Sequence, residues 1–170
     1  MPTNFWMFFV TALIPLLIGF IWYNPKVFGR TWMRVNGFVE KDLEGGNMAM
    51  ILGLSFVFGV FISVALSTIV IHQTGVFQVM MPGIAESGSV AQQQFNDLMA
   101  QYGTAHRSFG HGALHGGFVV LIFVLPIIAI NALFERRGWK YICIHAGYWF
   151  VSILLMGGVL CKYLDYGSLS

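Results

Sequence analysis

Four stretches of this chain are long, apolar and almost free of charge: about Phe5 to Tyr23, Met48 to His72, Gly112 to Phe134 and Tyr141 to Tyr163. A hydrocarbon core of roughly 30 Å is crossed by about 20 apolar residues in a helix. Inside lipid each backbone polar group must be satisfied within the segment, so helices rather than strands are expected. The sequence therefore predicts an all-α integral membrane four-helix bundle, forming a single transmembrane domain over residues 1–170 with a long outer loop over 73–111. Composition agrees, because charged residues are 9% of the chain, against about 25% in soluble domains. The net charge of +2, with no basic run or stacking array, argues against nucleic acid as a partner. Pro15 and Pro126 lie inside spans and predict kinks. The opening "MPTN" has no Lys or Arg, and no small-x-small site follows the first apolar run, so span one is expected to be retained.

The basic residues give a direction. Lys26, Arg30, Arg34 and Lys41 lie between spans one and two, and Arg136, Arg137 and Lys140 between spans three and four. That is four plus three, or seven, of the nine Lys and Arg. The positive-inside rule places both loops in the cytoplasm and both termini outside. Trp6, Trp22, Tyr23, Trp139, Tyr141 and Tyr163 stand where an aromatic belt belongs.

Two connections are expected to carry short interfacial helices. In the first cytoplasmic loop Asn24 and Pro25 suit a helix start and Gly37 a helix stop. Between them Lys26, Arg30 and Arg34 recur on one face, with Phe28, Trp32 and Val35 opposite. This pattern predicts inner-leaflet lipid contact by Lys26, Arg30, Arg34 and Trp32. In the outer loop Ser89 and Gln92 have capping-box spacing and Gly103 closes a second short helix.

Packing inside the bilayer is legible in small residues. Ser55, Gly59, Ser63 and Ser67 recur every four residues on span two, beside Ala49 and Gly53, and Gly112, Gly116, Gly157 and Gly158 offer similar surfaces on spans three and four. Small residues let helix backbones approach closely, either within one bundle or between copies in an oligomer. Asn131 and His145 lie at similar depth on consecutive antiparallel spans and are expected to form an intramembrane polar pair. Cys143 and Cys161, separated by roughly 27 Å along one helix at about 1.5 Å per residue, are expected to stay unpaired, because a disulfide needs Cα atoms within about 7 Å.

The stretch "HRSFGHGALHGG" at residues 106–117 holds three of the five histidines. His111 and His115 are four apart, which stacks them on one helix face within reach of a single metal. His72 and His106 lie on the same side of the membrane and would complete a site if tertiary structure brings them in. Neutral imidazoles suit Zn, Cu, Ni or Fe, and Glu86 and Asp97 in the same loop offer oxygen ligands. Interfacial hydrogen bonding, and proton or anion handling with Arg107, stay open beside metal ligation. No phosphate-cradling loop, GxSxG, CxxC or intramembrane carboxylate pair is present, so an enzyme, for instance one acting on a lipid-soluble substrate, is the weaker class.

The blocks "IWYNPKVFGRTWM" and "INALFERRGWKYICIHAGYWFVSILLMGGVL", together with "GHGALHGG", resemble the DUF1761 family of small bacterial membrane proteins. The resemblance implies a four-span bacterial inner-membrane protein and supplies no activity. It also implies Asn or Asp at the position of His145 in many relatives, which weakens a proton-carrying role there. "IPLLIGFIWYNPKVFGRTWM" and "LPIIAINALFERRGWKYI" share an apolar-Pro start and a basic aromatic exit, as an internal repeat or convergent interface chemistry would produce. The leading expectation is a non-catalytic oligomeric or accessory subunit of a membrane complex, with membrane lipids and a homo-oligomer or larger complex as partners. The alternative is a metal-binding or small-solute transport protein built on His72, His106, His111 and His115.

Overall fold

A computed structural model describes residues 2–167. Among these residues all regular structure is helical: α1 (Met7–Trp22), α2 (Gly29–Asn36), α3 (Met48–Val70), α4 (His72–Ile84), α5 (Val90–Tyr102), α6 (Phe109–Phe134) and α7 (Trp139–Tyr163). A one-turn 3₁₀ segment at Glu40–Leu43 links α2 to α3. Three helices, α3, α6 and α7, are long and apolar enough to cross a membrane, with 23, 26 and 25 residues. The equally apolar α1 has 16 residues, and chain in turns flanks it at both ends.

The helices carry their apolar residues on both sides. Leu66, Val70, Val120, Ile153, Met156 and Leu160 are buried between helices, while Leu17, Phe20, Phe61, Ile122 and Phe123 are exposed. A water-soluble bundle would turn such residues inward; in lipid they are the solvent-facing surface. The residues that hold helices together are accordingly small or polar.

Consecutive long helices run antiparallel. Gly112 and Gly116 on α6 lie directly against the backbone of α7 at Gly157 and Ile153; a methyl at Gly116 would stand 2.5 Å from the Ile153 carbonyl oxygen. Gly59 on α3 faces Ala12 on α1, where a methyl would meet the Ala12 carbonyl oxygen at 3.0 Å. One turn away the buried Thr11 and Ser63 hydroxyls share a hydrogen bond of 2.8 Å, and Ser67 pairs with the Tyr166 hydroxyl at 3.1 Å. Gly59, Ser63 and Ser67 of the small-residue ribbon thus serve packing within the chain, whereas Ser55 is exposed.

Thr3 and Asn4 meet Tyr163 and Asp165 at one end of the bundle. Thr3 donates to Asp165 Oδ2 (2.8 Å) and Asn4 Nδ2 to the Tyr163 carbonyl (2.8 Å). The two basic connections meet at the other end, where Arg137 Nη1 donates to the Val35 carbonyl (3.2 Å) and Trp22 Nε1 to the Ile144 carbonyl (3.1 Å).

Three local expectations change. The helix of the first basic connection begins at Gly29 rather than at Pro25; Asn24 Oδ1 instead accepts the Lys26 N–H (2.9 Å) in a tight turn. Gly37 does end it, left-handed at φ 76°. Span two stops at Val70, where Ile71 turns extended, and His72 opens a new helix. The long connection therefore holds two helices, α4 and α5, as a hairpin joined by the Phe77–Phe95 contact at 6.0 Å between ring centroids. Ser89 caps α5 as its spacing suggests, accepting the Gln92 N–H at 3.0 Å, while Gln92 reaches back to the Gly88 N–H at 2.7 Å. Within α6, Val120–Val124 form a single π-turn, the Leu125 N–H reaching back five residues to the Val120 carbonyl. Pro126 lacks an N–H and crowds the preceding turn, and a widened turn ahead of it relieves that conflict.

Candidate functional site

The histidine end of the bundle is built by three interruptions of regular helix. The first is the break at Ile71. Its carbonyl accepts the Thr74 hydroxyl at 2.6 Å, which fixes His72 as the first residue of α4. The second is the start of α6, where the Ser108 side chain accepts the His111 N–H at 3.2 Å and orients the first helical turn. His111 and His115 then stack one turn apart. The third is the short connection from α5, in which His106 is held left-handed at φ 62°, a conformation uncommon for a residue with a side chain.

That connection is pinned from both sides. Gln73 Nε2 donates to the Tyr102 and Ala105 carbonyls at 2.8 and 2.9 Å. On the other side the Cys161 thiol donates to the His106 carbonyl at 3.3 Å, and the Arg107 guanidinium donates to the Leu164 carbonyl at the end of α7. The strained backbone of His106 is therefore tied to α4 and α7 at once.

These pegs bring all four sequence-selected histidines together. The ligand nitrogens of His72, His111 and His115 lie within 4.8 Å of one another. His72 Nε2 and His111 Nε2 are 2.8 Å apart, so one ring donates and the other accepts. Ring centroids are 5.0 Å apart for His72–His115 and 4.5 Å for His111–His115. His106 stacks on His111 at 4.9 Å and stands 5.9 Å from His72, as a fourth imidazole outside the three-ligand group. His72 is exposed and His111 and His115 are half-buried, so the group is reachable from the end of the bundle. Glu86 and Asp97 are exposed on the α4–α5 hairpin and stand outside the group.

The surroundings of His72 favour its neutral form. Desolvation, followed by repulsion from His115 and His106, holds its pKa below the usual histidine value. Neutral imidazole is the form that ligates metals. Ligand bonds of about 2.0–2.1 Å at a tetrahedral ion place two nitrogens about 3.3 Å apart. The 2.8 Å between His72 and His111 and the 4.8 Å limit of the whole group lie on either side of that separation.

The other selected residues are placed as follows. Asn131 and His145 are not joined: Asn131 is exposed, and His145 packs its ring against Tyr141 (4.3 Å) and Tyr23 (6.4 Å) with its buried Nε2 unpaired. Lys26, Arg30 and Arg34 are exposed around α2, while Trp32 packs between Tyr23 (5.4 Å) and Phe38 (5.5 Å). Cys143 and Cys161 are both free thiols. Gln73 and Cys161, which position the His106 connection, had no sequence signal beyond lying near the histidines in the chain; Ser108 had one, as a helix cap at the head of the histidine stretch.

No curated protein and no solved structure matches the chain. One family does match, a group described only as proteins of unknown function, and it covers residues 6–161, nearly the whole length. On that coverage, the chain belongs to the DUF1761 family.

Proposed function

We propose that this chain is a four-pass protein of a bacterial cytoplasmic membrane that binds a transition-metal ion at its outer end through His72, His111 and His115, with His106 as a fourth donor in reserve. One observation carries the metal reading: three imidazole nitrogens within 4.8 Å of one another, drawn from two helices separated by a long connection. An all-imidazole donor set selects Zn, Cu, Ni or Fe over Mg or Ca. The four-pass arrangement is supported by the packing of α1 antiparallel against α3 and α7. The outward direction of the histidine end is supported by the seven basic residues gathered in the two opposite connections.

The test is elemental analysis of protein purified in mild detergent, without a histidine tag and without chelator. Near-stoichiometric metal in the native chain, absent from a His111→Ala, His115→Ala variant of unchanged thermal stability, is the expected result. Metal-free native protein that also fails to take up added zinc or copper would overturn the reading. Direction is tested apart from metal: a cysteine at position 165 should react with an impermeant thiol reagent in intact cells, and one at position 41 should not.

A second reading, a homo-oligomer or subunit of a larger membrane complex, is favoured by one observation. Gly53 on α3 has nothing within 4 Å of an added methyl, and Ala49, one turn before it, is exposed. This leaves an unoccupied small-residue face. A lone monomer by native mass spectrometry, in mild detergent and in native membrane extracts, would refute it.

A further inference from the structure

The two helices of the long connection, α4 and α5, pack on each other, with Phe77 against Phe95 and Gly83 close against Ala91. Against the rest of the bundle α4 meets the end of α3. Among the described residues neither helix packs substantially on α1, α6 or α7. The hairpin is therefore an arm carried on two joints. The first is the break at Ile71, where α3 ends extended and His72 starts α4. The second is His106, left-handed at φ 62° between α5 and α6.

Both joints thus carry a histidine of the cluster. The rings of His72 and His106 are 5.9 Å apart between centroids, and His106 stacks on His111 at 4.9 Å. The His106 ring belongs to an exposed residue. Its joint is held to α7 by single hydrogen bonds, from the Cys161 thiol to the His106 carbonyl and from Arg107 to the Leu164 carbonyl. A structural zinc ion takes four ligands. His72, His111 and His115 supply three, and His106 is the remaining imidazole at this end of the bundle.

We propose that an ion bound at this end also takes His106 and thereby locks the α4–α5 hairpin, making it a metal-responsive arm. The proposal rests on the metal reading of the same histidines and adds its consequence. An ion held by His72 and His106 ties both joints of the hairpin to His111 and His115 on α6. Without the ion, the second joint opens whenever the Cys161 and Arg107 bonds release. Binding and closure are then one coupled equilibrium. The factor by which His106 tightens the ion equals the factor by which the ion closes the joint, typically about 5–150-fold for couplings of this kind.

Arg107 makes the joint readable. It is the only Lys or Arg between Lys41 and Arg136, so trypsin cuts the long connection at one bond, directly after the joint. The full chain in mild detergent is stripped of metal and digested with and without saturating zinc, and the fragment starting at Ser108 is followed by mass spectrometry. Its rate is divided by that of cleavage at Lys41, exposed in the opposite connection, which cancels any effect of zinc on the protease. His106→Asn is digested beside it; asparagine enters the left-handed conformation readily and keeps the carbonyl that Cys161 meets. Zinc should slow cleavage at Arg107 by about tenfold or more in the native chain and by less than about twofold in His106→Asn, which should still bind zinc, more weakly by the same factor. A native chain that binds zinc yet is cut at an unchanged rate overturns the lock and leaves the metal reading standing. A native chain that binds no zinc overturns both. Equal protection of His106→Asn by zinc also overturns the lock, because the ion then acts without His106.

Discussion

Replacing Gly112 by alanine would insert a methyl group between two helix backbones. Built on the present backbone, its Cβ overlaps the Gly157 carbonyl oxygen and the Cys161 Cβ, and stands 2.8 Å from the Gly157 carbonyl carbon. Neither obstacle is the tip of a flexible side chain, so α6 and α7 must move apart. Overpacking of this kind costs about 1–3 kcal/mol, and a backbone obstacle places this case at about 2–3. For a chain of this size each kcal/mol moves the thermal midpoint by about 2–4 °C, giving a fall of about 4–12 °C. Gly112 sits between His111 and His115 in sequence, so the same displacement should weaken retention of added zinc. The assay is a thermal ramp in detergent read by size exclusion, with Gly53→Ala beside it. Gly53 also lies in a long helix but meets nothing within 4 Å, so that variant should be at least as stable as the native chain. If Gly112→Ala melts with the native protein, the backbone-to-backbone contact of α6 and α7 is wrong.

Further expectations follow from other contacts. The pKa of His72 is held below the ordinary 6.5 by desolvation and its imidazole neighbours, so the unfolded chain takes up the proton first as pH falls. Its contribution to stability is full above about pH 6.5 and is lost as pH drops toward the lower folded value. The metal-free protein should therefore melt earlier at acid pH, and His72→Gln should flatten that slope. Thr11→Val and Ser63→Ala, measured with their double variant, should show a coupling of about 0.6 kcal/mol, the usual size for such bonds in membranes; additive losses would refute the bond. In detergent a maleimide should label the exposed Cys143 and spare the buried Cys161, and heating should release the second thiol only as the bundle opens.

The parts of the fold written locally were legible in the sequence. Continuous apolar runs identify the long helices, Gly37 and Ser89 mark helix ends through backbone geometry and capping, and Gly112, Gly116 and Gly157 read as close contacts because only glycine leaves room there. The pairing of His111 with His115 is likewise local, a matter of one helical turn. Bringing in His72 depends on where α3 stops, and the sequence "IVIHQTG" continues the apolar run without a strong stop signal. Helix α4 was hidden for the same reason: Gly75 and Pro82 lower its helical pattern, and it forms because it packs on α5. The Asn131–His145 pair failed for a different reason. Matching depth on neighbouring helices says nothing about rotation around them, and the π-turn offsets every residue of α6 that follows it.

That single wide turn makes α6 two rods coupled by a removable residue. Upstream of it, the glycine seam and the histidines fix the rod against α7; downstream, the rod carries Asn131 and leads to the basic connection. Deleting one residue within 120–124 would let the wide turn close into an ordinary one, leaving the histidine half in place and restoring unbroken spacing below. The same deletion at Ala113 would swing His111 about 100° away from His115, at roughly 3.6 residues per turn. Tolerance to losing a residue should therefore be sharply uneven along α6. Length variation between related sequences in this helix should gather at the wide turn and be excluded from the histidine half.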